Sequence, residues 1–461
     1  MISLSLSEIA TAVSGELIGK DITIESVTTD SRALTHGDVF LALKGANFDG
    51  HRFVEQVLAQ GASAVIVSTK QKTDTPQIVV NDTHKALGLL GAYVKQQVAP
   101  KTVAITGSSG KTTVKEMVAA ILSRLGNVLA TAGNFNNDIG VPLTLLRLEK
   151  QHEFAVMELG ANHIGEISYT SGLVKPDISV INNIAAAHLE GFGDLCGVAR
   201  AKGEIYEGLK PGGIALYNKD CKYAHKWQWR LTDKTVKTFS CLNKADVYSE
   251  NVSLNAIGCP AFTLNANGET IDITLPIPGR HNVCNAVAAA TIALEFGATL
   301  EDIQQGLEQM APVKGRLNLH KLSDDFTVID DTYNANVESN KAAAELLASY
   351  SGKRVLILGD MAELGSEARN YHHEVGAHAK GLGIDNLLTL GVLSQNTSMA
   401  FNGDGYHFTE REMLIEQLKQ LVVDEKQPVT ILVKGSRSSH MENVVKDILA
   451  WHKNTSVEEQ V

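Results

Sequence analysis

The sequence runs to 461 residues, too many for one ordinary core, and length alone suggests about three domains. With 44% hydrophobic and 20% charged residues it reads as a soluble globular protein, and a net charge of -11 argues against nucleic acid as a partner while allowing a local basic pocket for one nucleotide. Five cysteines without a CxxC pair predict neither a metal cluster nor a disulfide framework and fit a reducing compartment, and no apolar run nears the roughly 20 residues that would insert stably in a membrane.

The chain opens with MISLSLSEIATAVSG, which has no basic region ahead of an apolar block and reads as a short strand leading into an amphipathic helix; a cytoplasmic location is the expectation. Residues 1–98 mix short strands (ITIESVTT, DVFLAL, ASAVIVS, QIVV) with helices, and Pro100 marks a boundary. Next comes AITGSSGKTTVKEM. The general P-loop pattern needs glycine at Ile105, so the shorter Gly107-x-x-Gly110-Lys111-Thr112 carries the reading. Val103 and Ile105 mark a buried strand, and Val114, Met117, Val118, Ile121, Leu122 and Leu125 recur at helical spacing, so the glycines fall at a strand-to-helix turn. Such a turn aims free N–H groups and the positive end of a helix dipole at one spot, which suits a phosphate. Lys111 would then reach the terminal phosphates and Thr112 would ligate magnesium.

Further along, FAVMELG and DISVINNI alternate with helical stretches as far as Pro312, the signature of a parallel sheet covered by helices. Ligands of open parallel sheets gather at the carboxyl ends of strands, which draws attention to Glu158 at the end of FAVMELG and His188 after ISVINNIAAA, with Lys202 in GVARAKGEIYEGL. A carboxylate and an imidazole near Thr112 could complete a magnesium site; singly, Glu158 also fits a helix N-cap partner, His188 a satisfied loop histidine and Lys202 a solvated surface charge. In GRHNVCNAVAAATIA, Asn282 offers an amide that matches an adenine edge or, equally, caps a helix. Beyond Lys314, FTVIDD, RVLILGD, NLLTLG and VTILVKG form a second, smaller doubly wound unit without a G-x-G-x-x-G, which argues against a dinucleotide site. Arg316 and Asp331 could meet phosphate and ribose from this unit. In LVKGSRSSHMENV, Lys434, Ser436 and Arg437 present either an anion-binding turn or a solvated helix start. The expected architecture is α/β with three domains: a small mixed α/β N-terminal domain (1–98), a central P-loop-type parallel-sheet ATPase domain (99–312) and a Rossmann-like C-terminal domain (313–461).

Taken in order, GSSGKTT, GNFNNDIGVPLTLL, ELGANHIGEI, NIAAAHLEGFG, ARAKGEI, GRHNVCNAVAA, GRLN, DDTYNANVES, LGDMAELG and VKGSRS resemble the Mur ligase family over nearly the whole chain. Within that family, DSRALTHGDVFLALKGANFDGHRF and DDTYNAN resemble the members that join D-alanyl-D-alanine to UDP-N-acetylmuramoyl-tripeptide. The resemblance implies an ADP-forming ligase in peptidoglycan synthesis, using ATP and Mg2+ through an acyl phosphate. By motif, it places Gly107, Ser108, Ser109, Gly110, Lys111, Thr112, Thr113, Asn282, Arg316 and Asp331 at ATP, and Thr112, Glu158, His188 and a carbamylated Lys202 at the metal. It also implies that Ser31, Arg32, Asn47 and Asp49 face the uridine nucleotide, that Asn134 and Asn137 face the muramoyl sugar or nearby phosphates, and that Asn334, Asn336 and Arg437 orient the dipeptide. Lys111, Lys202 and His188 are the expected catalytic residues, and a monomer is the default. Val337 departs from the family pattern, where proline is expected. Two other readings compete: a folylpolyglutamate synthase-like ligase, which the DSR and GANFDGH motifs oppose, and a non-catalytic nucleotide switch, which leaves Glu158, His188 and Lys202 without a joint purpose.

Overall fold

The computed structural model describes residues 1–45 and 47–458. Its N-terminal part carries a five-stranded sheet ordered Glu16–Ile18, Gln77–Val79, Ala64–Val67, Val39–Leu41, Val27–Thr28, with Glu16–Ile18 antiparallel and the rest parallel. The opening reads as expected: strand Leu4–Ser5 enters helix Leu6–Ala12, where Ser5 and Glu8 form a reciprocal capping box and Leu6, Ile9 and Ala10 face inward.

The centre is a nine-stranded sheet. From one edge the order is Val128–Ala130, Phe154–Glu158, Lys101–Thr106, Ile178–Ile181, Ile214–Asn218, Thr235–Ser240 and Val247–Leu254, all parallel, followed by Pro260–Ala266 and Glu269–Thr274, both antiparallel. The parallel sheet expected from the sequence is thus extended at this far edge by two antiparallel strands. Pro260–Ala266 alternates inward and outward residues, and Asn267–Gly268 closes a two-residue turn with both φ angles positive (54° and 86°), the geometry that suits a tight hairpin. In the parallel part every residue of Phe154–Glu158 and Ile178–Ile181 is buried, as expected of strands covered on both faces. Helix Lys111–Leu122 lays Val114, Met117, Val118, Ile121 and Leu122 on this sheet, beside the alanine-rich helix His281–Glu295.

The C-terminal part is a six-stranded sheet ordered Asn318–Lys321, Phe326–Asp331, Val429–Lys434, Lys353–Gly359, Asn386–Leu390, Gly405–Phe408, parallel except for its first strand. A further correction concerns cysteine: Cys241, just past a strand end, and Cys284, in the first turn of helix His281–Glu295, are disulfide-bonded. They lie 43 positions apart, and only the tertiary fold brings them together.

Candidate active site

Strand register brings three carboxyl ends to one rim, with Glu158 opposite Ile105 and Ile181 opposite Thr106. At that rim the glycine loop turns into helix Lys111–Leu122. Gly110 sits at φ +76° as the residue before the helix, and a Cβ there would collide with the side-chain amides of Asn285 and Asn182, so both backbone and space demand glycine. The helix therefore begins with its unpaired N–H groups and dipole facing the rim. Lys111 folds back so that Nζ donates to the Gly107 carbonyl (2.8 Å). Loss of water around this ammonium pulls its pKa down, with Glu158 opposing and Arg316 adding to the shift. Ser108 and Ser109, expected at ATP, spend their side-chain groups within the protein: Ser108 Oγ donates to Ala185 O (3.0 Å) and Ser109 Oγ accepts from Asn183 Nδ2 (2.9 Å). Thr113 is buried in the first helical turn.

Thr112 and Glu158 meet as expected, Thr112 Oγ1 donating to Glu158 Oε2 (2.9 Å) with both residues buried. The other carboxylate oxygen accepts from Asn136 Nδ2 (2.8 Å). Asn136 is the asparagine of GNFNND that sequence reasoning passed over. Its neighbours differ: Asn134 is exposed, while Asn137 accepts from Gly140 N (2.8 Å) at the start of helix Gly140–Leu146. Hydroxyl and carboxylate oxygens on adjacent buried side chains are a donor set suited to a small hard cation.

Lys202, on helix Leu195–Gly203, is fully buried, and its Nζ has no hydrogen-bond partner among the described residues; the Phe192 ring lies 5.8 Å away. Burial, reinforced by the Lys111 charge, holds its pKa well below the usual lysine range. The surface-charge alternative is thereby removed. His188 adopts a left-handed backbone (φ 54°) and pairs through Nδ1 with Glu363, which stands in the loop after strand Lys353–Gly359. That hydrogen bond with His188 holds the Glu363 carboxyl below its ordinary pKa. Nothing in LGDMAELG marks Glu363 for this role, because its partner His188 lies 175 positions away.

From the third unit, Arg316 packs its guanidinium on the Tyr333 ring (4.3 Å) and is close enough to Lys111 to depress its pKa. Its Nε is buried without a hydrogen-bond partner among the described residues. Asp331 is committed elsewhere: Lys434 Nζ donates to Asp331 Oδ2 (2.6 Å) and to Asn334 O (2.9 Å), with Lys434 and Asp331 both buried. The anion-binding reading of Lys434 is corrected accordingly, since its charge is already matched internally; burial lowers its pKa and Asp331 opposes that shift. Arg437 is exposed and pairs with Glu442 (3.2 Å), while Ser436 Oγ meets Ser438 and Ser439.

Asn336 caps helix Val337–Ala348, accepting from Ser339 N (2.9 Å), and its Nδ2 reaches across to the Ser108 carbonyl (3.3 Å). This explains the tolerance of Val337, because asparagine and serine supply the cap that proline would only have supported. Asn334 is exposed and turns its side chain back on Ala335 N (2.8 Å). Asn282, expected at adenine, has both ends of its amide engaged, Nδ2 donating to Pro278 O (2.7 Å) and Oδ1 accepting from Asn285 (2.9 Å). In the first unit Arg32 is exposed and makes a bidentate contact with Asp30, whose carboxyl it holds down to about 2. Asp49 caps the turn Gly50–Phe53 and meets His51 Nδ1 (2.6 Å); Ser31 is half-buried and Asn47 exposed, all distant in sequence from the phosphate loop.

Three family models match this chain: the Mur ligase family catalytic domain over residues 23–102, the Mur ligase middle domain over 105–293, and the Mur ligase glutamate ligase domain over 315–437. A relative from Escherichia coli K12, UDP-N-acetylmuramoyl-tripeptide--D-alanyl-D-alanine ligase, is 50% identical over 447 residues, 97% of this chain and 98% of that one. Among solved structures, MurF from Acinetobacter baumannii matches with a TM-score of 0.93 at 39% identity, covering 98% of this chain and 99% of its own. MurF ligase from Thermotoga maritima, solved in complex with ADP, matches at 0.84 with 26% identity, covering 94% and 98%. With likeness running from end to end and the phosphate loop, Glu158 and Lys202 gathered on one rim, the chain belongs to the Mur ligase family.

Proposed function

We propose that this protein is an ATP-dependent, ADP-forming ligase that joins D-alanyl-D-alanine to UDP-N-acetylmuramoyl-tripeptide, giving the pentapeptide precursor of peptidoglycan in the cytoplasm. The observation that carries the reading is the phosphate cradle at Gly110 and Lys111 facing the Thr112–Glu158 pair, in a chain 50% identical to a ligase of that name. The domains we assign are 1–98 for the uridine nucleotide, 99–312 for ATP and 313–461 for the dipeptide, consistent with the three larger sheets, each of which falls within one of them.

The chemistry follows from the acceptor. A carboxylate is a poor electrophile until one oxygen becomes a phosphate, and bringing it to ATP sets two anions against each other. Lys111, Arg316 and the N-terminus of helix Lys111–Leu122 offset that repulsion and stabilise the charge on the transferring phosphoryl group. A carboxylate oxygen attacks the γ-phosphorus of ATP and ADP leaves; the dipeptide amine then attacks the acyl phosphate carbon, the C–N bond forms, the C–O bond to phosphate breaks, and the amine gives up a proton to solvent. Magnesium, when bound, neutralises charge on the phosphate oxygens. We assign Thr112, Glu158 and His188 to hold it, with Asn136 fixing one oxygen of Glu158 and Glu363 fixing the His188 ring through Nδ1, so that Nε2 is the ligand nitrogen.

Lys202 we assign as carbamylated. A free ammonium there would be unpaired and would repel both Lys111 and a metal ion, whereas a depressed pKa supplies the neutral amine that adds carbon dioxide and releases a proton. The resulting anionic oxygens suit a hard cation. Arg32 and the GANFDGH turn bind the uridine nucleotide in this reading; Asn134, Asn334 and Arg437, all exposed, remain assigned to substrate. The deciding experiment is phosphate release with ATP, the UDP-linked tripeptide and D-alanyl-D-alanine, leaving out one component at a time. Release that does not require both acceptors would overturn the assignment in favour of a simple nucleotide switch.

A further inference from the structure

Ser109 of the phosphate loop is held through its N–H, its hydroxyl and its carbonyl alike, and its partners lie on one neighbouring segment. Its N–H donates to Asn183 Oδ1 (2.9 Å), its hydroxyl accepts from Asn183 Nδ2 (2.9 Å), and its carbonyl accepts from Asn182 Nδ2 (3.1 Å). One residue earlier, Ser108 N donates to Asn183 O (3.1 Å), and Ser108 Oγ exchanges hydrogen bonds with both the carbonyl and the N–H of Ala185 (3.0 and 2.9 Å). Asn182 in turn donates to Asn285 Oδ1 (2.9 Å) on helix His281–Glu295, and those two amides are what a Cβ at position 110 would strike. Three loop atoms, two consecutive asparagines and a third from another helix thus form one network around Ser109 and Gly110.

That network has a selective effect. A phosphate loop offers a run of backbone N–H groups, and here those of Ser108 and Ser109 are turned inward and satisfied by Asn183. The N–H groups from Gly110 into the first helical turn are the ones left without intrahelical acceptors. The same grip fixes the positive φ of Gly110, on which the direction of those donors depends. Resting on the ATP-ligase reading above, we propose that Asn183 is a positioning residue for the nucleotide: it touches no reacting atom and acts by clamping Ser109, which sets the phosphate loop in its anion-binding shape before ATP arrives.

Asn183→Ala tests this in the full-length protein. A misplaced loop should raise KM for ATP and the Kd for ADP by about tenfold to 100-fold, with KM for the UDP-linked tripeptide and for D-alanyl-D-alanine within about twofold and a thermal midpoint lowered only by the loss of the two side-chain hydrogen bonds. Hydrogen exchange should rise in the peptide covering Ala104–Met117 of the nucleotide-free variant, and ADP should suppress the rise. Because Asn183 acts through Ser109, adding Ser109→Ala should cost nothing beyond Asn183→Ala. Wild-type ADP affinity in Asn183→Ala overturns the proposal, as does an equal rise in all three KM values, which would mark a general loss of structure. Should Asn183→Ala not fold, Ser109→Ala alone removes the hydroxyl half of the clamp; a twofold to fivefold rise in KM for ATP, on the order of one modest hydrogen bond, supports the proposal and an unchanged KM refutes it. Failure of the ligase reading is seen separately, as absence of acceptor-dependent phosphate release in the wild type.

Discussion

Replacing Lys202 by methionine separates what its amine does to the fold from what it does for the chemistry. The side chain is fully buried and its Nζ unpartnered among the described residues, so in the unmodified protein the amine has lost its water and gained nothing in return. An unsatisfied buried polar group costs about 1–3 kcal/mol. Methionine keeps much of the packing and removes that group, so Lys202→Met, compared with bicarbonate-free wild type, should be more stable by about 1–3 kcal/mol at neutral pH. The sign of the pH dependence follows from the depressed pKa. Between the folded and unfolded values the unfolded chain binds more protons, so wild-type stability rises with pH and the advantage of methionine shrinks toward about pH 10.4, where the unfolded lysine titrates. Activity moves the other way: without a carbamate, acceptor-dependent phosphate release should fall at least about 100-fold. Acetate should restore part of it in Lys202→Ala, which leaves room for a small carboxylate. Lys202→Arg keeps a cation, forms no such carbamate and should stay inactive. Thermal melts from neutral to alkaline pH and coupled phosphate release are the assays. Wild-type turnover in the arginine variant would refute the carbamate, and a lower melting point for Lys202→Met at neutral pH would refute the uncompensated amine.

Lys111→Ala should lower turnover by at least about 100-fold with the fold intact, because the ammonium contributes charge at the phosphates and little packing; normal activity in that variant would end the phosphate-loop reading. Asn136→Ala frees one oxygen of Glu158 and should weaken the apparent Mg2+ requirement constant by about tenfold to 100-fold, measured by titrating magnesium at saturating ATP. Arg32→Ala should raise KM for the UDP-linked substrate far more than that for ATP, and equal effects would count against a uridine site in the first unit. Lys434→Met strands Asp331 in a buried position and should destabilise the protein by about 3–5 kcal/mol in denaturant unfolding.

The strands and the turn that build the rim were readable because local physics decides them. Val103, Ile105 and the run FAVME are apolar enough for a doubly covered strand, and a glycine with positive φ has to stand where the chain reverses into a helix. The antiparallel edge was less evident, although Asn267–Gly268 carries its own hairpin signal; a search for strand–helix alternation passes over it. What lay beyond the sequence depends on long-range meeting of side chains. Nothing local distinguishes Asn136, which holds Glu158, from Asn137 beside it in the same motif, which accepts from Gly140 N. Likewise Asp331 and Lys434 each looked free to bind ligand until parallel strands placed them side by side. Cys241 and Cys284 carry no motif, and Glu363 acquires its meaning only from His188, 175 positions away.

Several contacts that join the third unit to the phosphate loop and the His188 loop are small and polar: Asn336 on the Ser108 carbonyl, Glu363 beside His188, and the Glu363 carbonyl accepting from Glu190 N (3.2 Å). They fall on Ser108 and His188 themselves, so any separation of the third unit from the central one would break bonds that hold candidate site residues. Glu363→Gln, which keeps the size of the side chain and loses its charge, should therefore loosen the His188 ring and raise the magnesium needed for half-maximal turnover by about tenfold to 100-fold, and an unchanged requirement would refute that role.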